Sequence, residues 1–196
     1  RLGLEASAVV GAAGPLGGAG PAPKEPGLKV DVSDFTPAKA ARQHRGAIGD
    51  PGEVETIRIG EGGVYAVRGT VRIGVAARRV FTWLTDPKVN GKIFARTVHR
   101  CNYRRLLHQQ DRGRIRYFEV SKTGKWRLLG IPLMFESTVI AREDWPVLRI
   151  TYWLKKPGAM RHFSGFWQAV PLGRQDTLVL YYGEAIPYFP IPSLLG

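Results

Sequence analysis

From Gly62 onward, apolar and polar residues alternate between turn signals, and the period of that alternation predicts the elements. The segment Val64 to Ile73 (VYAVRGTVRI) has the period of two that marks a first strand. Ala77, Val80, Phe81 and Leu84 then fall at i, i+3, i+4 and i+7, one face of a helix lying within Val75 to Thr85, while Arg78 and Thr82 point elsewhere. Asp86-Pro87 stops that helix, because a residue before proline avoids the helical region, and a short irregular or helical piece follows at 88–94. The remainder reads as strands at 98–107, 113–121, 125–128, 133–142, 147–155, 160–170 and 177–186. Thr123-Gly124, Pro157-Gly158 and Leu172-Gly173 are the separators that turns favour. Strand, helix, then consecutive antiparallel strands predicts an α+β fold in which a sheet curls around helices.

Residues 1–62 have a different character. They are dominated by Ala, Gly and Pro (GAAGPLGGAGPAPKEPG), which bury too little apolar area to offset the entropy of ordering a backbone. The sequence therefore divides into an extended arm, 1–62, and one domain, 63–196. Any order in the arm is expected to come from lying along its own domain or along neighbouring subunits. At 44% hydrophobic and 23% charged the composition is that of a globular protein, and no run of about 18 apolar residues is long enough to span a bilayer, so membrane contact is expected to be peripheral. The single cysteine, Cys101, excludes a scaffold stapled by intramolecular disulfides. The first residue is Arg1 and not methionine, as in a precursor relieved of a transit peptide; this points to an organelle, the chloroplast ahead of the mitochondrion.

The net charge of +13 calls for an acidic counterpart: an anionic membrane surface, nucleic acid or the rest of a charged assembly. Between Arg72 and Arg127 there are 15 Lys/Arg against three acids, Asp86, Asp111 and Glu119, so nearly the whole excess lies in this stretch. On the predicted strand 113–121, alternation sends Arg112, Arg114, Arg116 and Phe118 to one side, suited to solvent or a polyanion, and Ile115, Tyr117, Glu119 and Ser121 to the other, suited to the inside of a sheet. Arg104 and Arg105 join the first set as polyanion or partner contacts. An inward Glu119, and Glu136 between Met134 and Thr138 on an apolar strand, each require a partner, because an unpaired buried charge is costly. Pairing with nearby arginines is the plain reading; binding the polar head of a ligand, or acid–base work, are the functional ones.

Other chemistry finds no support. His44, His99, His108 and His162 are scattered, with no metal-ligand spacing, and the sequence lacks GxSxG, a Walker loop and GxGxxG, so neither a metal nor another cofactor is expected. Aromatics interleaved with arginine, as in Tyr103-Arg104-Arg105, would suit stacking on single-stranded RNA, but the recognition motif of RNA-binding sheets is missing, which leaves RNA a lesser reading.

The helix ValPheThrTrpLeuThrAspPro at 80–87, the strand meander, PheSerGlyPheTrpGlnAlaValProLeu at 163–172, with Gly165 and Trp167 spaced before Pro171, and the terminal GluAlaIleProTyrPheProIlePro at 184–192 together resemble the START-like superfamily. Closest within it are the polyketide cyclase/dehydrase and lipid-transport proteins, including the coenzyme Q-binding group. The resemblance runs from about Val64 to Pro192 and rests on diffuse motifs. It implies a helix-grip fold, a curved antiparallel sheet wrapping a long C-terminal helix around an apolar cavity for lipids, isoprenoid quinones or similar molecules. Tyr117, Glu119, Met134, Glu136, Tyr152, Phe166 and Tyr182 are then the cavity-lining candidates. The helix that follows the proline cluster in the family has no counterpart in the sequence given, which ends at Gly196, so either the native protein has that helix beyond this stretch or a partner is expected to cover the open sheet face. The leading expectation is non-catalytic binding of a hydrophobic ligand at an organellar membrane surface. Behind it stand a structural subunit of a large organellar complex, using the arm and the basic stripe as interaction surfaces, and an aromatase/cyclase with Glu119 or Glu136 as base.

Overall fold

The computed structural model describes residues 21–43, 51–59, 63–93, 98–128 and 131–188. In order these form α1 (Pro37–Gln43), β1 (Pro51–Ile59), β2 (Val64–Ile73), α2 (Ala77–Thr85), α3 (Pro87–Ile93), β3 (Val98–Gln110), β4 (Ile115–Leu128), β5 (Ile131–Asp144), β6 (Arg149–Lys156), β7 (Met160–Gly173) and β8 (Asp176–Pro187). All eight strands join one curved antiparallel sheet in the order β1-β2-β8-β7-β6-β5-β4-β3. From β3 to β8 each strand pairs with the next in sequence, so this part is a meander. The strand before the helices, β2, returns to pair with β8, and β1 extends that edge.

The helices form where the sequence asks for them. Asp86 is extended (φ −80°, ψ 115°) and ends α2, while Pro87 opens α3 at the first helical position, where its missing N–H costs nothing. Thr36 precedes Pro37 in the same way: its carbonyl accepts from Ala40 N–H at 2.9 Å and its hydroxyl from Lys39 N–H at 3.3 Å, which caps α1. No helix among the described residues is long and apolar enough to cross a membrane.

The sheet is covered on both faces. On the helix face, Ala77, Val80 and Phe81 of α2 pack on Ile150, Ala169 and Val179, and Phe81 meets Trp145 edge-on at 4.8 Å. On the opposite, arm face, Leu28, Val30, Val32 and Phe35 and the α1 residues Ala40 and Ala41 pack on Ala66, Phe166, Leu178, Leu180 and Tyr182, and Ala22 packs beside Tyr117, Ile140 and Trp153.

Three differences from the sequence-based expectation follow. The stretch before residue 62 is not extended chain throughout: it holds α1 and also β1, which pairs with β2 from Ile59↔Val64 to Pro51↔Val71, while residues 21–36 lie on the domain's own sheet, one of the two placements expected of an ordered arm. Thr123-Gly124 is not a turn but the interior of β4, held because Gly124 has ladder partners on both sides, Val98 and Phe135. Likewise β7 runs through Leu172-Gly173 and turns only at 174–175. The expectation of no helix after the proline cluster concerns residues 189–196, which lie outside the described residues.

Candidate functional site

The helix face carries a small, partly open cleft where the α2–α3 junction crosses strands β3 to β6. About 70 Å³ in volume, it is lined by Leu84, Thr85, Pro87, Cys101, Arg104, Val120, Lys122, Ala141, Glu143 and Ile150. Cross-strand register explains the gathering: Arg104↔Val120↔Val139 and Leu106↔Phe118↔Ala141 are rungs of one face, with Cys101↔Lys122 and Arg116↔Glu143 on the same side. Next to the cleft, Phe118, Val120 and Val139 form an apolar cluster with Cys101, Leu106, Ala141 and Phe163.

Charge is concentrated in this wall. Glu143 is 3% exposed and accepts from Arg104 and, at 2.9 Å, from Arg116; both guanidinium groups also lie over the Phe118 ring, Arg104 at 3.6 Å. Burial pushes the Glu143 carboxyl up, against the pull of the two arginines. Burial pulls Lys122 below its ordinary range; the Cys101 sulfur opposes this and Arg104 adds to it. Farther along the same face, the Tyr152 hydroxyl donates to the Tyr181 hydroxyl and lies 3.3 Å from the Tyr182 carbonyl oxygen, over Gly165 and Gly183. A Cβ at either glycine would run into these tyrosines.

The arm face holds two further buried acids. Glu184, 1% exposed, accepts from the backbone N–H groups of Lys29 (2.7 Å) and Val30 (3.1 Å), from Tyr182 hydroxyl (2.7 Å) and Ser164 hydroxyl (3.1 Å), and lies 2.7 Å from His162 Nε2. Burial raises this carboxyl, but the donors, led by Lys29 N–H, more than offset it and hold it below its ordinary value. Serine, histidine and glutamate meet here without forming a nucleophilic triad: the same Nε2 faces both Ser164 (3.0 Å) and Glu184, so no second ring nitrogen relays to the acid, and Ser164 is 2% exposed. Glu119 accepts from Lys155 (2.7 Å), Arg105 (2.5 Å) and Tyr103 (2.9 Å), with Lys155 foremost in lowering it to about 2. Beside it, Glu136 accepts from Ser121 (2.6 Å) and Asn102 (3.2 Å).

The sequence-derived candidates are therefore divided. Tyr117, Glu119, Phe166 and Tyr182 face the arm, Glu136 belongs to the Ser121 cluster of that face, and Tyr152 alone faces the helices. Met134, which pairs with Lys125, lies in a stretch whose side chains fall outside the described residues. The six whose side chains are described do not line one cavity: five share the arm face and Tyr152 the helix face, while Phe118 and Arg116, which alternation places on the solvent side, face the helices. The five arginines likewise form no single stripe. Arg104 and Arg116 clasp Glu143, Arg105 holds Glu119 on the other face, and Arg112 and Arg114 stand exposed at the β3–β4 turn, Arg114 beside Asp111 at 3.6 Å. Glu143, Lys122 and Glu184 were missed. Glu184 carried the signal used for Glu136, an acid inside an apolar alternating strand.

No family model matches the chain, and no curated protein matches it. Among solved structures it is similar to the Zhui aromatase/cyclase from Streptomyces sp. R1128 (18% identity, TM-score 0.48, covering 64% of this chain and 70% of that one). It is also similar to a START superfamily protein from Mycobacterium smegmatis (17% identity, TM-score 0.46, 66% and 82% covered). A third is norcoclaurine synthase from Thalictrum flavum in complex with dopamine and hydroxybenzaldehyde (12% identity, TM-score 0.40, 66% and 70% covered). These likenesses are to the fold in outline and assign no activity. The architecture itself is a strand, two helices and a meander joined in one antiparallel sheet that packs on α2.

Proposed function

We propose that the protein is a non-catalytic binding module that takes a hydrophobic small molecule, a lipid, an isoprenoid quinone or a similar compound, on the helix face of its sheet. The observation that carries this reading is the cleft beneath α2 and α3. Its wall is more apolar than polar, with Leu84, Pro87, Val120, Ala141 and Ile150 set beside Thr85, Lys122 and the paired Arg104 and Glu143, a mixture that ligand sites share. At about 70 Å³ it is well below the ~300 Å³ of a site that encloses a whole drug-sized ligand, so it receives one end of the molecule.

The acids first considered as bases do not favour catalysis. Glu119, lowered to about 2 by Lys155, Arg105 and Tyr103, is a weak proton acceptor and faces away from the cleft. The assembly-subunit reading loses part of its support, since residues 21–43 lie on the chain's own sheet. The net charge of +13 suits delivery at an anionic organellar membrane. The test is native mass spectrometry of protein gently purified from its source, with solvent extraction of the same sample. A stoichiometric hydrophobic adduct, recovered chemically unchanged after incubation, is expected. Protein free of adduct that also fails to take up a panel of labelled lipids and quinones would refute the reading.

A further inference from the structure

The outer side of the helix layer is charged in one sense. From Ala77 to Ile93 the chain carries four cations, Arg78 and Arg79 on α2 and Lys88 and Lys92 on α3, against a single acid, Asp86. All four are exposed; on α2 the stripe packed on the sheet is Ala77, Val80 and Phe81, which leaves Arg78 and Arg79 on the outer side. The Asp86 carboxylate is turned to the Lys88 backbone N–H at 2.8 Å, and none of the four cationic side chains is ion-paired among the described residues. The arm on the opposite face is mixed instead: Lys24, Lys29, Lys39 and Arg42 are interspersed with Glu25, Asp31 and Asp34.

This one-signed surface belongs to the segment that covers the cleft. Leu84, Thr85 and Pro87, at the junction of the two helices, line it, and the cations stand just before and just after them. Arg79 lies over the Trp83 ring at 5.5 Å and Arg78 over the Trp145 ring at 5.6 Å, so each guanidinium is held by its face while its N–H edge is left for an anion. Trp83 packs inward on the α2 cluster and is partly exposed, the placement that suits an indole at a water–lipid boundary. A single-stranded nucleic acid would need aromatic faces open to stacking, whereas both indoles here are packed and carry guanidinium groups.

We propose that the outer side of α2 and α3 docks on an anionic phospholipid bilayer, with Arg78, Arg79, Lys88 and Lys92 on lipid phosphates and Trp83 at the level of the head groups. Leu84, Thr85 and Pro87 then lie against the bilayer, and a hydrophobic ligand passes between membrane and cleft without crossing open water. The proposal rests on the binding function put forward above and gives it a place of exchange.

The experiment is flotation of the full chain with vesicles of phosphatidylcholine alone and of an equal mixture of phosphatidylcholine and phosphatidylglycerol. It compares the native protein, Arg79→Gln/Lys88→Gln/Lys92→Gln, and Lys24→Gln/Lys39→Gln/Arg42→Gln, which removes the same charge from the arm face; circular dichroism establishes that both variants are folded. The native protein is expected to bind the mixed vesicles, not phosphatidylcholine, and to leave them as salt rises. At about fivefold per cation the helix variant is expected to bind about a hundredfold more weakly, and the arm variant to lose less than about threefold. Equal losses in the two variants overturn the docking surface, as does equal binding to the two kinds of vesicle. Tighter binding to single-stranded RNA than to the mixed vesicles, lost in the helix variant, overturns the choice of a bilayer. Uptake of labelled lipids and quinones from solution keeps the two readings apart: uptake without vesicle preference overturns the docking surface alone, and absence of uptake overturns the binding function and the exchange that rests on it.

Discussion

Glu184→Gln is the substitution that most directly tests how residues 21–43 are held. The native carboxylate receives two backbone N–H groups of the arm, from Lys29 and Val30, with the Tyr182 and Ser164 hydroxyls and His162 completing the shell. A glutamine retains one acceptor oxygen and turns an NH2 toward the rest. One charge-assisted bond is lost and one arm N–H is left unsatisfied in a buried site, a cost of about 2–4 kcal/mol. Leu28, Val30, Val32 and Phe35 still pack on the sheet, so the arm should open locally while the sheet stays folded. That cost raises the open population by about thirtyfold to several hundredfold. Trypsin reports it directly, because Lys24, Lys29, Lys39 and Arg42 all lie in this segment and are exposed. Faster cleavage confined to these sites is expected, read by mass spectrometry at protease levels where cleavage follows the open population. Tyr182→Phe, which spares both backbone bonds, should change it far less. The native carboxyl sits below its ordinary value, so its contribution is present above the ordinary carboxylate range and is lost as pH falls through the lowered value; arm cleavage by an acid-tolerant protease should rise over that interval. Unchanged cleavage in Glu184→Gln would refute the idea that this acid clamps the arm.

Other outcomes follow from the same geometry. A Cβ at Gly165 overlaps the Tyr182 carbonyl oxygen and comes within 2.6 Å of the Tyr152 hydroxyl, so Gly165→Ala should cost about 3 kcal/mol in urea unfolding. Gly183→Ala meets side-chain hydroxyls, those of Tyr181 and Tyr152, and should cost less and be partly restored by Tyr181→Phe; equal effects at the two glycines would contradict the assignment. Glu119, lowered from 4.5 to about 2, contributes stability that is present above 4.5 and lost as pH falls from there toward 2. Denaturant titrations across that range should show Glu119→Gln and Lys155→Met both flattening the acid limb.

The meander and the helix pair were legible because both rest on local periodicity. The pattern Ala77, Val80, Phe81, Leu84 located α2 to within two residues, and β2 was read at its observed limits, Val64–Ile73. What failed depended on neighbours distant in sequence. Thr123-Gly124 has turn chemistry, yet β3 and β5 supply partners on both sides and the ladder overrides it. β1 was hidden because the boundary was drawn on composition; it opens on Pro51 and carries alternating acids, as an edge strand can.

The site was less legible than the fold for a related reason. Alternation assigns residues to two faces but cannot say which face the helices take when both are buried, and here both are. Alternation set Tyr117 and Glu119 with Ile115 on the side suited to the inside of the sheet; both are buried, Tyr117 at 7% and Glu119 at 4% exposure, but on the arm face, where Lys155, Arg105 and Tyr103 surround the acid. Arg116 looked outward because it is charged, yet it reaches Glu143 on the helix side and stacks on Phe118 and Trp145. Residues 21–43 occupy one face of the sheet and α2 the other, so burial alone marks neither face as inward, and only the packing partners tell the two apart.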